Sequence, residues 1–207
     1  MGAQLELVHS TPLDLTRIEP RGDHQVIAQM IDDGARVLDL GCGDGALMQL
    51  LARQCKARVR GMEIDPHKAH RCVVRGLSVV QGDVERDLAE FPSGAFEYVI
   101  LSHTIQHLRQ PEAALKQAAR VGDRVIVSVA NAGRWSARSN LVIGGRLGRA
   151  EHLHRYTVRD FADLARDMRL TIERAVPLSH GRPGAPFAKT LWRANWFCEE
   201  AVFLLAP

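Results

Sequence analysis

The chain has 207 residues, 46% of them apolar and 25% charged, with a net charge of +3. These values fit a globular chain with a full core and exclude a disordered one. The charge is too weak, and aromatic residues at 5% too sparse, for a nucleic-acid binder, and no apolar run reaches the roughly 18 residues of a membrane span.

Met1 to Glu6 lacks the charged-then-apolar pattern of a leader, so a cytoplasmic setting is expected. Cys42, Cys55, Cys72 and Cys198 form no CxxC pair and read as reduced core or turn residues. Residues 1 to 22 are expected to be a flexible arm, and 23 to 207 one domain. Asp23 can cap a short helix carrying Val26, Ile27, Met30 and Ile31 on one side, broken by Asp33-Gly34. The apolar run Arg36 to Leu40 predicts a buried strand. It stops at Gly41-Cys42-Gly43-Asp44-Gly45, and a helix follows from Ala46 to Gln54. A strand-to-helix turn this tight needs residues without bulk, and the helix start behind it offers free N–H groups.

Arg58 to Glu63 reads as the second strand. Asp65-Pro66 starts a helix that stops at Gly76. Leu77 to Gln81 is the third strand, Glu97 to Ser102 the fourth, and Asp123 to Val129 the fifth, with a helix from Pro111 to Gly122 before it. Strands alternating with helices predict right-handed crossovers and a parallel sheet covered on both faces. Any ligand then belongs at the carboxyl ends of the strands. Asn131 to Tyr156 is a glycine- and arginine-rich excursion, with a short helix at Ser136 to Ile143. Thr157-x-x-Asp160 is a capping box opening a helix to about Met168. Thr171 to Val176 is a strand, Pro177 to Ala188 a loop, and Trp196 to Leu205 a final strand.

Four strand ends carry groups suited to one ligand. Asp39 precedes the glycines, where it would repel a phosphate and favour a cationic, amino-acid-bearing nucleoside. Glu63 stands where dinucleotide folds place a ribose-binding acid. Asp83 can accept an adenine amine while the Val84 N–H meets the ring, and Ser102-His103 lies below the sulfonium position. Each acid also has a plainer reading: Asp39 as a turn cap, Glu63 as a solvent-exposed acid, Asp83 as a helix cap. His103 and His107 are the candidate bases for any catalysis. His152-x-His154 lacks a third ligand by spacing, so no metal is expected. Arg134, Arg138, Arg146 and Arg149 could face an acidic partner or acidic substrate. Trp135, Trp192, Trp196 and Phe197 could form a partner patch or pack under the last strand.

Leu38 to Gly45 resembles the first motif of class I S-adenosylmethionine (SAM) methyltransferases. More narrowly, the chain resembles the methionine biosynthesis MetW family. The resemblance rests on Arg36 to Gly45, Gly61 to Asp65, Val80 to Asp83, Phe91-Pro92 and Phe96 to Gln106, then on Arg120 to Gly122, Val127 to Trp135, Gly144 to Arg146 and Thr157 to Phe161. It implies a Rossmann-like α/β fold: a seven-stranded, mostly parallel sheet with an antiparallel last strand and helices on both faces. It also implies a pocket for SAM or S-adenosyl-L-homocysteine. The methionine part would lie near Asp39, Gly41, Cys42 and Gly43, the ribose on Glu63, and adenine near Ile64, Asp83 and Val84, with Ser102 at the fourth tip. The family further implies a role as partner or regulator of a homoserine O-acyltransferase, hence a hetero-oligomer; the alternative is a SAM-dependent methyltransferase acting on a small-molecule acceptor. The chain departs from the family pattern after Gly145, where Arg146 to Tyr156 is short and basic.

Overall fold

The computed structural model describes residues 21–135, 139, 153–186 and 191–207. In chain order the elements are α1 (Gly22–Ala28), β1 (Arg36–Leu40), α2 (Ala46–Gln54), β2 (Arg58–Glu63), α3 (Pro66–Val74), β3 (Ser78–Gln81), α4 (Val84–Asp87) and β4 (Phe96–Ser102). They continue with α5 (Pro111–Val121), β5 (Gly122–Ala130), α6 (Val158–Asp167), β6 (Thr171–Ser179), β7 (Arg182–Pro183), α7 (Leu191–Phe197) and β8 (Glu200–Ala206). The strands form one 8-stranded sheet in the order β3-β2-β1-β4-β5-β8-β6-β7. β1 to β5 pair in parallel, and β8 runs antiparallel to both β5 and β6. The fold is therefore the Rossmann-like methyltransferase architecture that the sequence implies. The two-residue β7 adds an eighth strand, folding back on the end of β6.

Alternating apolar residues bury both faces of the sheet. Val37, Tyr98, Ile100 and Ile126 pack with Val26 and Ile27 of α1 and Leu47 and Leu51 of α2. Leu38, Leu40, Val99, Leu101 and Val127 pack with Leu115 and Ala118 of α5 and Phe161 and Ala165 of α6. The order in which strands are added reverses between β1 and β4, which run parallel, and this switch opens a crevice at their carboxyl ends. No helix among the described residues is long and apolar enough to cross a membrane.

Several boundaries differ from the sequence reading. Asp23 lies inside α1 rather than capping it, and its side chain turns to the tips of β4 and β5. Leu77 precedes β3, and its N–H closes α3 on the Cys72 carbonyl. Gly122 starts β5 with an ordinary negative φ; glycine is needed there because a Cβ would meet Val99 Cγ2 at 2.7 Å. β6 continues through Pro177 to Ser179. The Pro177 carbonyl accepts from Gly184, so the donor that proline lacks would face the short β7 side and the β8 ladder loses nothing. Trp196 and Phe197 belong to α7, and the last strand begins at Glu200. The helix expected at Ser136 to Ile143 and most of the arginine-rich excursion lie outside the described residues, as do residues 1–20 of the arm. The capping box holds: Thr157 and Asp160 exchange both bonds.

Candidate functional site

The turn after β1 is built by backbone conformations that side chains resist. Gly41, Gly43 and Gly45 have φ of 73°, 60° and 85°. A Cβ on Gly41 would meet Thr104 Oγ1 at 2.6 Å, while one on Gly43 would meet nothing within 4 Å. The first glycine thus admits a neighbour, and the second leaves open space.

That space belongs to a cleft of about 950 Å³ at the carboxyl ends of β1 to β4. Gly41, Gly43, Glu63, Ile64, Asp83, Val84, Ser102, His103 and His107 all line it, so nearly the whole set of sequence candidates converges there. Glu63 is 5% exposed. Its two carboxylate oxygens accept from Gly43 N at 2.7 Å and Asp65 N at 3.0 Å, which fixes the carboxylate at the tip of β2. Each oxygen keeps a further lone pair. Asp83 caps α4 through Glu85 N at 2.9 Å, while its own N–H binds Asp87 Oδ2; it is both helix cap and cleft wall. Ile64 is 63% exposed, an unusual placement for isoleucine and a flat apolar surface beside the acids.

Asp39 and Cys42 sit behind the lining. The Cys42 thiol packs with Met48 and Cys72, and burial pushes its pKa up. Asp39 is 2% exposed, and its Oδ2 has no hydrogen-bond partner. Burial, against the pull of Arg21 and with the push of Asp23 and Glu63, raises its carboxyl to about 7. A buried acid without a partner is costly, and native structures keep such groups where something else satisfies them.

The opposite lip is already compensated. Asp23 is fully buried and accepts from Ser102 Oγ at 2.8 Å and Ser128 Oγ at 3.0 Å. Arg21 grips both oxygens of Asp23 at 3.0 Å and donates to Ser102 at 2.6 Å. Burial works to raise Asp23, but Arg21 and the nearby histidines outweigh it and hold the carboxyl at about 2. His103 occupies the left-handed region, at φ 55°, and its Nε2 lies 2.8 Å from Glu200 Oε2 and 3.7 Å from Asp23 Oδ2. One ligand atom from each of Asp23, His103 and Glu200 falls within 4.8 Å of the others, and within this set Arg21 pairs with Asp23 and His103 with Glu200. His24, beside Asp23, is held neutral by burial, which lowers it to about 4. Arg21 and Thr104 also line the cleft, and Asp23 and Glu200 stand against Ser102 and His103; the sequence reading gave none of the four a place there. They come from the start of α1, the loop after β4 and the start of β8, and only the tertiary fold joins them.

Among the other sequence candidates, His154 stacks on Tyr156 at 6.1 Å, and His152 lies outside the described residues. Trp135 stands 6.2 Å from Trp196, and Trp135 and Phe197 are largely exposed. Arg134 pairs with Glu199 at 3.3 Å.

The family model for the methionine biosynthesis protein MetW matches residues 21–205. The chain belongs to the MetW family. Among curated relatives, the bifunctional methionine biosynthesis protein MetXA/MetW of Rhodopirellula baltica is 30% identical over 136 residues, which is 62% of this chain and 22% of that protein. The ubiquinone biosynthesis O-methyltransferase of Xanthomonas oryzae is 34% identical over 106 residues, 47% of this chain and 44% of that enzyme. The chain thus spans less than half the length of either relative. Among solved structures, a SAM-dependent methyltransferase of Thermotoga maritima, described as a possible histamine N-methyltransferase, superposes with a TM-score of 0.65 at 17% identity. That match covers 89% of this chain and 87% of the other. The [4+2]-cyclase SpnF superposes with a TM-score of 0.64 at 14% identity, covering 89% and 79%. At these identities the likeness is one of fold, and the cyclase shows that this fold also carries chemistry other than methyl transfer.

Proposed function

We propose that this MetW-family chain binds SAM, or its demethylated product, in the cleft and acts as the partner or regulatory subunit of a homoserine O-acyltransferase. The observation that carries the nucleoside assignment is Asp39, a buried carboxyl group whose Oδ2 has no hydrogen-bond partner among the described residues, next to an open glycine turn. The ammonium or sulfonium of SAM supplies the missing cation. The remaining lone pairs of Glu63 accept the ribose hydroxyls, while Ile64, Asp83 and Val84 flank adenine, and the methionine chain runs along the turn at Gly41 into the open space at Gly43. Ser102 borders the sulfonium end, and Cys42 contributes backbone only.

The partner role is supported by the Rhodopirellula relative, in which a MetW part is joined to MetXA in one bifunctional protein. Such fusion holds two parts at high effective concentration. Regulation needs only that the nucleoside bind the free and complexed states with different affinity. Four buried free thiols agree with a reducing, cytoplasmic setting.

A second reading, methyl transfer to a small acceptor, draws on one feature. His103 lines the cleft with Glu200 behind it, the orientation a general base requires. The deciding experiment is co-purification of the full chain with a homoserine O-acyltransferase, with and without SAM. A SAM-dependent change in complex yield supports the regulatory role. Absence of a complex, together with acceptor-dependent consumption of SAM across a metabolite panel, replaces it with the enzymatic one.

A further inference from the structure

A second concavity lies at the opposite end of the sheet, where β1 to β4 begin. It holds about 510 Å³, and its lining includes Arg36, Arg58, Arg60, Ser78, Phe91 and Phe96. Its floor is aromatic, with the Phe91 and Phe96 rings 6.1 Å apart. Arg36 is paired with Glu97 at 3.0 Å. The guanidinium groups of Arg58 and Arg60 are exposed and have no ion pair among the described residues. One wall is held in place by Arg120 of α5, which donates to the carbonyls of Leu88, Ala89 and Phe91 and to Ser93 Oγ. All those acceptors are neutral, so this charge too stays uncompensated locally.

Beside the groove runs the edge of the sheet. Among the described residues β3 pairs only with β2. Its sequence, Ser-Val-Val-Gln, contains neither the charge nor the proline that usually guards a free edge, and Val80 is exposed. The parallel register sets Arg60 beside Ser78, whose small side chain leaves the arginine unscreened toward that edge.

We propose that this groove docks an extended acidic segment of a protein partner, which lines up along the free edge of β3 and sets carboxylates against Arg58 and Arg60. Alternate residues of a strand stand about 7 Å apart on one face. Acidic residues at alternate positions of an extended segment therefore match the spacing of the two arginines. Edge pairing gives affinity through the main chain, and the flanking side chains give selectivity. A nucleic acid would use the cations but not the strand edge. The groove is at the far end of β1 to β4 from the cleft, so docking leaves the nucleoside site open.

That the partner is the acyltransferase rests on the function proposed above, and the test separates the two. Surface-immobilised acyltransferase is titrated with the wild-type full chain, the Arg58→Glu/Arg60→Glu variant and the edge variant Val80→Lys. Calorimetry with SAM checks that each variant keeps the wild-type cleft. The expected result is salt-sensitive binding by wild type, weakened at least about tenfold in both variants, with SAM affinity unchanged. Equal binding by wild type and the double variant overturns the groove and leaves the partner role standing. If wild type does not bind the acyltransferase, the partner role fails. The groove is then decided with a fluorescein-labelled peptide of alternating glutamate and valine: binding that the double variant loses supports it, and no binding overturns it. Preference for a uridine oligonucleotide over the peptide overturns it as well.

Discussion

Replacing Asp39 by asparagine separates the stability cost of the site from its binding gain. In the folded protein the Asp39 carboxyl titrates at about 7 rather than 3.8, chiefly because burial penalises its charge. A carboxyl raised by folding binds its proton more tightly in the folded than in the unfolded state. Stability is then greatest below about pH 4, falls as pH rises through the window from about 4 to 7, and stays reduced above it. A difference of about three pH units at ~1.4 kcal/mol each sets a ceiling of roughly 4 kcal/mol on that cost. The asparagine side chain is neutral throughout, so urea denaturation should show the Asp39→Asn protein more stable than wild type near pH 8, with the gap closing toward about pH 4.5. Calorimetry should show the reverse for ligand: SAM binding weaker by about 1.5–3 kcal/mol, the usual worth of a hydrogen bond to a charged group. Equal stability of the two proteins at both pH values would refute the buried-charge argument, and undiminished SAM affinity would remove Asp39 from the site.

Glu63→Gln keeps one backbone acceptor and loses the charge, so SAM affinity should fall by roughly tenfold to a hundredfold in calorimetry. Gly41→Ala puts a Cβ at φ 73° within 2.6 Å of Thr104 Oγ1; the denaturation midpoint should drop by an amount equivalent to at least about 2 kcal/mol. His24 is buried and lowered to about 4, so its neutral form stabilises the fold above about pH 6.5 and that contribution is lost as pH falls toward 4. His24→Gln should flatten the acid limb of the stability curve over that window. Arg120→Met removes the donors that hold Leu88 to Ser93 and should destabilise by about 1–3 kcal/mol while leaving SAM binding intact.

The first five strands were legible because each is a short stretch with apolar residues in a run or in alternation, and β1, β2 and β3 are also closed by Gly41, Glu63 and Gly82. Asp65-Pro66 and Thr157-x-x-Asp160 announced helix starts for local reasons: a side-chain oxygen meets N–H groups two or three residues on. The C-terminal third was harder because there local signals and tertiary pairing disagree. Pro177 reads as a strand breaker, yet its missing donor faces a side with almost no ladder to disrupt. Trp196 and Phe197 are as apolar as a strand, yet they lie on a helix whose carbonyls at Ala194 and Asn195, with that of Cys198 just beyond it, accept from the Asn131 amide. Asp23 looked like an N-cap by residue type alone. Its bonds to Ser102 and Ser128 span 79 and 105 positions, a separation that no window of sequence exposes.

The two lips of the cleft differ in how their charges are balanced, and that difference directs the ligand. On the β4, β5 and β8 side, Asp23 is bound by Arg21 and Glu200 by His103. On the β1 and β2 side, among the described residues, Glu63 accepts only from backbone N–H groups, and one oxygen of Asp39 has no hydrogen-bond partner. A cation entering the cleft therefore gains most over β1 and β2, where it lowers the cost of two buried acids at once. The compensated lip does not compete for it. For the nucleoside proposed above, asymmetry of this kind would set the charged end toward the glycine turn, whether the bound molecule reacts or only reports its own concentration to a partner.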